Sequence, residues 1–301
     1  MLDWLKKIEV RKFEIFGLFP VVRLISIIEN PRYIIHLIKK NFWYKRFATD
    51  YTFKYKDIEF LSGQETLEVL IRDKLSLARF SDGEIEQLVG AGEYPPDSDW
   101  AQRNSKELVA AIGSNLGSVK PGLLVAVDPP STFLASRESL EGEDADHPVA
   151  FGYNMWVDMR RIMWKFLSVD KAYGHCHLFI QRNCPDLNWN MLRDHLGTRD
   201  IIVATGNTNL IDHLKLGLTT NFIDCGTVDA FERKDEIKFE IMACIVRENL
   251  PVDNVLVLAC LGPTAGIIAE ELLDQSIQVW DTGHIFEFAA KGFIEDHLDQ
   301  K

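Results

Sequence analysis

Two carboxylates separated by a single glycine, Asp82 and Glu84, form a candidate metal-binding pair. Gly83 lets the backbone turn tightly and leaves both carboxylates able to face one hard cation. Divalent ions with oxygen ligands, completed by substrate phosphates, bind such pairs. The ion would neutralise charge that develops on a diphosphate leaving group. Taken alone, the spacing favours an ordinary Asp-Gly turn, with Glu84 in the first turn of the next helix.

A second candidate is the turn formed by Gly262, Pro263 and Thr264 between an apolar strand and a helix. Backbone N–H groups and the helix dipole at such a junction favour a phosphate, and proline is well suited to the first helical turn. A plain helix cap explains the same residues. The turn is not a Walker A loop, and the sequence contains no G-x-G-x-x-G motif.

Histidines supply two further candidates. His175 and His177 flank Cys176, and alternation along a strand would place both imidazoles on one face. Without a partner cluster at ligand spacing, local hydrogen bonding explains them better than zinc. Asp281 and His284 close the last strand, where they would orient a substrate hydroxyl or act as acid or base. A structural role in the turn is the alternative.

The elements that carry these residues indicate an α/β fold. Apolar strands such as GLLVAV, DIIVAT and NVLVLACL alternate with helices, which predicts a mainly parallel sheet with helices on both faces. Ligands bind beyond the carboxyl ends of strands in such sheets. Predicted boundaries include a capping box at residues 62–65, an extended segment at residues 173–180, and helices at residues 150–167 and 231–250.

Composition limits the class of protein. The chain has 301 residues, 47% of them hydrophobic, and a net charge of −12, which argues against general affinity for nucleic acid. Its five cysteines form no CxxC pair or disulfide framework, as expected of a cytoplasmic protein.

The first 50 residues differ from the rest, with ten Lys/Arg against five Asp/Glu. Apolar and aromatic residues are mixed with these charges, as in an interfacial helix. We therefore divide the chain into a helical arm, residues 1–56, and a catalytic domain, residues 57–301. The arm would contact the inner face of the membrane peripherally, pack on its own domain, or form a homo-oligomer seam.

The residues carry a resemblance to a known family. SLARFSDGE, residues 76–84, resembles the S-x-x-R-F-G-D-G-E signature of the GT-D fold glycosyltransferases, a bacterial family long described as a domain of unknown function. LGPTA at 261–265 and DTGH at 281–284 resemble the ending L-G-P-T-A…L-A…D-x-G-H. FIQR at 179–182 and AFERKDEI at 230–237 are similar to further family segments, and all occur in the family's order.

The resemblance implies a Rossmann-like domain that moves a sugar from a UDP-sugar to a glycan, glycoconjugate or lipid-linked glycan. Asp82 and Glu84 would hold Mn²⁺ or Mg²⁺ and, with Asp281 and His284, form the catalytic set. The substrate-binding residues would be Arg79, which braces the acidic loop or the diphosphate, and Ser81, Gly83, Arg182, Gly206, Asn207, Gly262, Pro263 and Thr264.

The sequence departs from the family pattern at two places. Ser81 replaces the usual glycine. VATGNTNL, residues 203–210, stands where the family has V-E-G-E…G-x-G-N-D-L, and it lacks the acidic residues. Because these acidic residues are missing, a non-catalytic nucleotide-sugar-binding or scaffold subunit is one alternative. A phosphotransferase that uses the same acidic loop is another.

Overall fold

The structure is a computed structural model of the 301-residue chain. It describes residues 55–88, 102–128, 162–180, 184–185, 187–206 and 216–283, without the side chains of Asp82 and Glu86. Nearly all of the predicted arm and most of the predicted helix at residues 150–167 lie outside these ranges.

One parallel sheet organises the described residues. Its eight strands pair in the order β1-β4-β3-β2-β8-β7-β5-β6, and every pairing is parallel. The strands are β1 Glu59–Phe60, β2 Ser76–Phe80, β3 Leu123–Val127, β4 Ala172–His175, β5 Asp200–Thr205, β6 Thr219–Asp224, β7 Val255–Cys260 and β8 Gln278–Asp281.

The α-helices of the described ranges are α1 Gly63–Arg72, α2 Asp82–Leu88, α3 Lys106–Leu116, α4 Trp189–Gly197, α5 Lys234–Arg247 and α6 Pro263–Glu271. Helix α1 begins with the predicted capping box. The Ser62 hydroxyl accepts the Glu65 N–H at 3.2 Å, and the Glu65 carboxylate accepts the Ser62 N–H at 2.8 Å. Two otherwise unpaired backbone donors are thereby satisfied.

Alternation along the strands divides the core between the two sheet faces. On β5, Ile201 and Val203 pack in a cluster with α1 and α4, whereas Ile202 and Ala204 pack with α5 and α6. The second face continues over β2 and β3, where α2 and α3 cover it. A strand buried on both faces has to be apolar throughout. The predicted α/β fold with helices on both faces is confirmed.

Some predicted boundaries were wrong. Strand β4 stops at His175 instead of continuing to Ile180, because Leu178 and Ile180 donate turn hydrogen bonds to the carbonyls of His175 and His177. Helix α5 runs from Lys234 to Arg247, three residues short of its predicted bound at each end. The residues just before it form turns, and Asp229 has a positive φ of 50°.

Strand β2 lies near the middle of the sheet, between β3 and β8, and α6 packs directly on it. Gly266 of α6 permits that approach, since a Cβ there would lie 3.2 Å from the Cβ of Ala78 and 2.9 Å from Asn115 Oδ1. Among the described residues, no helix has the length and apolarity to cross a membrane.

Candidate functional site

A buried ion pair joins the carboxyl ends of β2 and β8. The two strands pair with Leu77 opposite Trp280, so Arg79 and Asp281 emerge side by side. Arg79 Nη2 and Nε donate to Asp281 Oδ1 at 3.2 and 3.3 Å, and the Arg79 backbone N–H donates to Oδ2 at 3.2 Å. The two side chains are only 13% and 3% exposed.

The electrostatics of this pair keep the guanidinium charged. Burial would lower the pKa of Arg79, but neighbouring Asp281, Cys176 and Glu84 raise it above its ordinary value. Burial raises the pKa of the Asp281 carboxyl, which the charge of Arg79 and the surrounding N–H donors oppose. Arg79 Nη1 also donates to the Cys176 carbonyl at 2.7 Å. Arg79 therefore ties together the ends of β2, β4 and β8.

Gly283 allows the pair to form. Its N–H donates to Asp281 Oδ1 at 3.1 Å, and its φ is +55°, which favours glycine. A Cβ at this position would lie well inside 3.0 Å of Arg79 Nη2. The glycine of the D-x-G-H segment is thus required by the arginine of the opening motif.

The acidic loop follows β2 directly. Ile85 N–H donates to the Ser81 carbonyl at 3.2 Å, and Ser81 N–H donates to Glu84 Oε2 at 2.9 Å. Glu84 therefore stands in the first turn of α2, with its carboxylate turned back to the start of the helix. One carboxylate oxygen of Glu84 thus accepts a backbone N–H. The negative charge of Glu84 lies at the N-terminus of α2, where the helix dipole stabilises it.

The turn after β7 is less open to an anion than its sequence suggests. Gly262 is exposed, with φ 54° and ψ −139°, and it precedes Pro263 in the first position of α6. The N–H groups of Thr264 and Ala265 donate to the carbonyls of Leu261 and Gly262. The Thr264 side chain is buried and lies 3.4 Å from Gln102 Oε1. Gly262 and Pro263 form the accessible part of this turn.

Gly206, at the end of β5, lies against the neighbouring turn. A Cβ on Gly206 would collide with the backbone of Gly226, which follows β6. Close backbone approach explains this glycine without a ligand. Arg182, Asn207 and His284 lie outside the described residues, so their roles remain predictions.

His175 and His177 do not share a strand face, because β4 ends at His175. The His177 N–H donates to His175 Nδ1 at 3.2 Å, and burial lowers the pKa of His175 to about 4. His175 is therefore neutral and fixed by its own turn. His177 instead approaches Asp128, which follows β3, with Nε2 4.0 Å from Oδ2. Sequence spacing gave no sign of this pair, because β3 and β4 are far apart in the chain.

Comparison with known proteins identifies the family of this chain. The sequence model described as glycosyltransferase GT-D fold matches residues 77–290, which contain all but the first residue of the opening motif, the acidic loop and the D-x-G-H segment. The chain belongs to this family. The predicted family resemblance is confirmed.

Two curated relatives of the GT-D chain come from streptococci. A probable glycosyl transferase, Gly, of Streptococcus gordonii is 24% identical over 252 residues, which are 76% of this chain and 32% of that protein. Glycosyltransferase GlyD of Streptococcus pneumoniae is 27% identical over 240 residues, 73% of this chain and 26% of that protein. The chain thus spans a third or less of the length of these relatives.

Solved structures show the same fold. The domain of unknown function 1792, described as having a distinct glycosyltransferase fold, aligns with a TM-score of 0.59 at 20% identity, covering 81% of this chain and 86% of that one. A glycosyltransferase of the same domain class from Streptococcus sanguinis aligns with a TM-score of 0.56 at 22% identity, covering 81% and 92%.

Proposed function

We propose that this GT-D chain is a glycosyltransferase that moves a sugar from a UDP-sugar to a glycan or glycoconjugate acceptor. Family membership carries the proposal. The arrangement of charged groups at one edge of the sheet supports it, since ligands of parallel sheets bind at the carboxyl ends of strands. The Arg79–Asp281 pair and the Glu84 carboxylate both lie at that edge, next to the end of β2.

Asp82 and Glu84 would hold a divalent cation, Mn²⁺ or Mg²⁺. Carboxylate oxygens are the donors that these hard ions prefer, and Glu84 is held in position by the Ser81 N–H. When bound, the ion would stabilise negative charge on the departing diphosphate. The donor set thus fits the metal that the family resemblance implies.

Arg79 and Asp281 act as positioning residues in this proposal. All three guanidinium nitrogens donate to protein acceptors, and the Asp281 oxygens accept N–H groups from Arg79 and Gly283. A buried carboxylate with such partners is poorly placed to accept a proton from an acceptor hydroxyl. His284, one residue beyond Gly283, is the proposed acid or base of the ending motif.

Gly262 and Pro263 are the proposed contacts for the donor diphosphate. They are the accessible residues at the start of α6, where the positive end of the helix dipole favours an anion. Ser81, Gly83, Arg182 and Asn207 complete the proposed substrate-binding set on the strength of the family resemblance.

A donor screen tests the proposal. Thermal unfolding of the full chain would be measured with UDP-glucose, UDP-galactose and UDP-N-acetylhexosamines, each with and without Mn²⁺. A ligand at 100 times its Kd stabilises the folded state by about 2.7 kcal/mol. We expect at least one UDP-sugar to raise the midpoint only with the metal. Product analysis of the same mixtures separates the alternatives. Cleavage of the donor's pyrophosphate bond, which yields UMP, would favour a phosphotransferase, and binding without turnover would favour a scaffold subunit.

The arm, residues 1–56, is proposed to bring the enzyme to a lipid-linked acceptor. Each Lys or Arg near an anionic bilayer contributes about 1 kcal/mol. Co-sedimentation with anionic vesicles, of the full chain and of a version without the arm, tests this role. Binding should require the arm. If neither version binds and truncation abolishes dimerisation, the arm is instead a subunit contact.

A further inference from the structure

Three residues with different ligand atoms converge where β3 and β4 end. Val127 and His175 are register partners in these strands, so the residues that follow them, Asp128 and Cys176, are neighbours. His177 comes next. One donor atom from each of Asp128, Cys176 and His177 lies within 4.8 Å of the others.

The cluster is buried and held by the backbone. Asp128 and Cys176 are 1% and 0% exposed. The Cys176 N–H donates to the Val127 carbonyl at 3.2 Å, and the His177 N–H donates to His175 Nδ1. A carboxylate, a thiol and an imidazole thus meet in a region where uncompensated charge is costly. Exposed acidic patches lack this combination of burial and mixed ligand types.

We infer that Asp128, Cys176 and His177 form a second cation site, for a borderline-soft divalent ion of the zinc type. Oxygen, thiolate and imidazole donors together suit zinc, whereas Mg²⁺ and Ca²⁺ prefer oxygen alone. The carboxylate and thiolate supply two negative charges, which balance a divalent ion. Three protein ligands leave a fourth position for water or a substrate oxygen.

The distances between the donor atoms of Asp128, Cys176 and His177 show how far these side chains must move to bind an ion. Metal–ligand distances of about 2.0–2.3 Å place tetrahedral donors about 3.3–3.8 Å apart. Asp128 Oδ2 and His177 Nε2 lie 4.0 Å apart, close to this range. No separation exceeds 4.8 Å, so none has to shorten by more than about 1.5 Å.

This site goes beyond the proposed function, because it shares no ligand with Asp82 and Glu84. It lies next to the proposed active site, since Arg79 Nη1 donates to the carbonyl of Cys176. An ion there would fix the ends of β3 and β4, and through Cys176 the position of Arg79.

Cobalt is the probe, because a thiolate bound to Co²⁺ gives an intense charge-transfer absorption. The full chain, stripped of metal with a chelator, would be titrated with Co²⁺. We expect one equivalent to produce the band and Zn²⁺ to abolish it. Cys176→Ser should remove the band, whereas Cys244→Ser, at an equally buried cysteine of α5, should retain it. His177→Gln and Asp128→Asn should weaken Co²⁺ binding at least about tenfold.

Near-ultraviolet circular dichroism would confirm that each variant is folded, and His177→Gln replaces Cys176→Ser if the latter unfolds. Glu84→Gln should leave the cobalt band unchanged, which separates this site from the acidic loop. The inference is overturned if the folded wild type gives no thiolate band, or if the band survives His177→Gln at full affinity. Loss of the band in Glu84→Gln would also overturn it.

Discussion

Arg79 and Asp281 are 202 residues apart in sequence, yet their side chains form a buried ion pair at the carboxyl edge of the sheet. The contact exists because β8, the last strand of the described residues, inserts between β2 and β7. It joins the arginine of the opening motif to the aspartate of the closing motif. The two halves of the family signature are therefore one structural unit.

Breaking this pair should be strongly destabilising. Asp281→Asn leaves the Arg79 guanidinium buried without its counter-charge, and loss of one partner of a buried pair costs about 3–5 kcal/mol. Urea unfolding measures the loss. The double variant Arg79→Met/Asp281→Asn should lose less unfolding free energy than the two single variants lose together. The reason is that it removes both charges and leaves neither buried alone. Asp73→Asn, which removes the exposed Arg72 pair, is the control and should change stability little. Additive single and double effects would contradict the coupling.

Gly283→Ala should destabilise the protein more than Gly262→Ala. Both glycines have φ near +55°, so both alanines carry backbone strain of about 1–3 kcal/mol. Only Gly283 has a neighbour, Arg79 Nη2, in the space that a Cβ would fill, whereas nothing lies within 4 Å at Gly262. The difference between their unfolding free energies measures the clash. Equal losses would mean that the guanidinium moves aside freely.

His195 should make the fold acid-labile. Its ring stacks on Trp280 with centroids 5.4 Å apart, and its Nε2 is buried with no partner in the described part of the chain. Burial, aided by Arg199 and Lys74, lowers the pKa of His195 to about 4 from its usual 6.5. The unfolded state therefore binds the His195 proton more tightly than the folded state does. The contribution of neutral His195 to the free energy of unfolding is fully present above pH 6.5 and is lost as the pH falls towards 4.

His195→Phe keeps a stacked ring and removes this titration. Between pH 7 and pH 4 the variant should lose less unfolding free energy than the wild type. Some acid sensitivity will remain, because His175 also has a pKa lowered to about 4 by burial. Parallel pH profiles of the two proteins would show that His195 titrates normally.

Pro263→Glu tests the proposed diphosphate contact. A glutamate at the first position of α6 suits the helix dipole, so the fold should be retained. Its charge would repel a diphosphate at the helix start and weaken UDP binding by about tenfold or more. Pro263→Gln is the neutral control of equal size, and calorimetric titration with UDP measures both. If the two variants bind UDP equally well, the diphosphate lies elsewhere.

Local patterns allowed much of the fold to be predicted. The capping box at Ser62 and the strand Asp200–Thr205 were predicted with their observed bounds. Both depend on neighbours in sequence. Strand β4 was predicted too long because turn hydrogen bonds at His175 end it, and an apolar run does not reveal such bonds.

Contacts across the sheet could not be predicted from spacing. The approach of Asp128 to His177 requires β3 beside β4, and the Arg79–Asp281 pair requires β8 beside β2. The requirement for glycine at position 283 likewise follows from a guanidinium on another strand. Strand order is a property of the packed sheet, and hydrophobic periodicity carries little information about it.

Sugar transfer by the Glu84→Gln variant is the most direct test of the proposed function. Glutamine can still accept the Ser81 N–H, so the change removes charge while keeping the helix cap. Using the UDP-sugar identified in the donor screen, product formation with Mn²⁺ would be measured for the wild type, Glu84→Gln and Asp82→Asn. Glu107→Gln is the matched control, at an exposed glutamate in the first turn of α3. We expect both acidic-loop variants to lose about a hundredfold or more in kcat and the control to keep wild-type activity. Full activity of folded Glu84→Gln or Asp82→Asn at saturating donor would contradict the assignment.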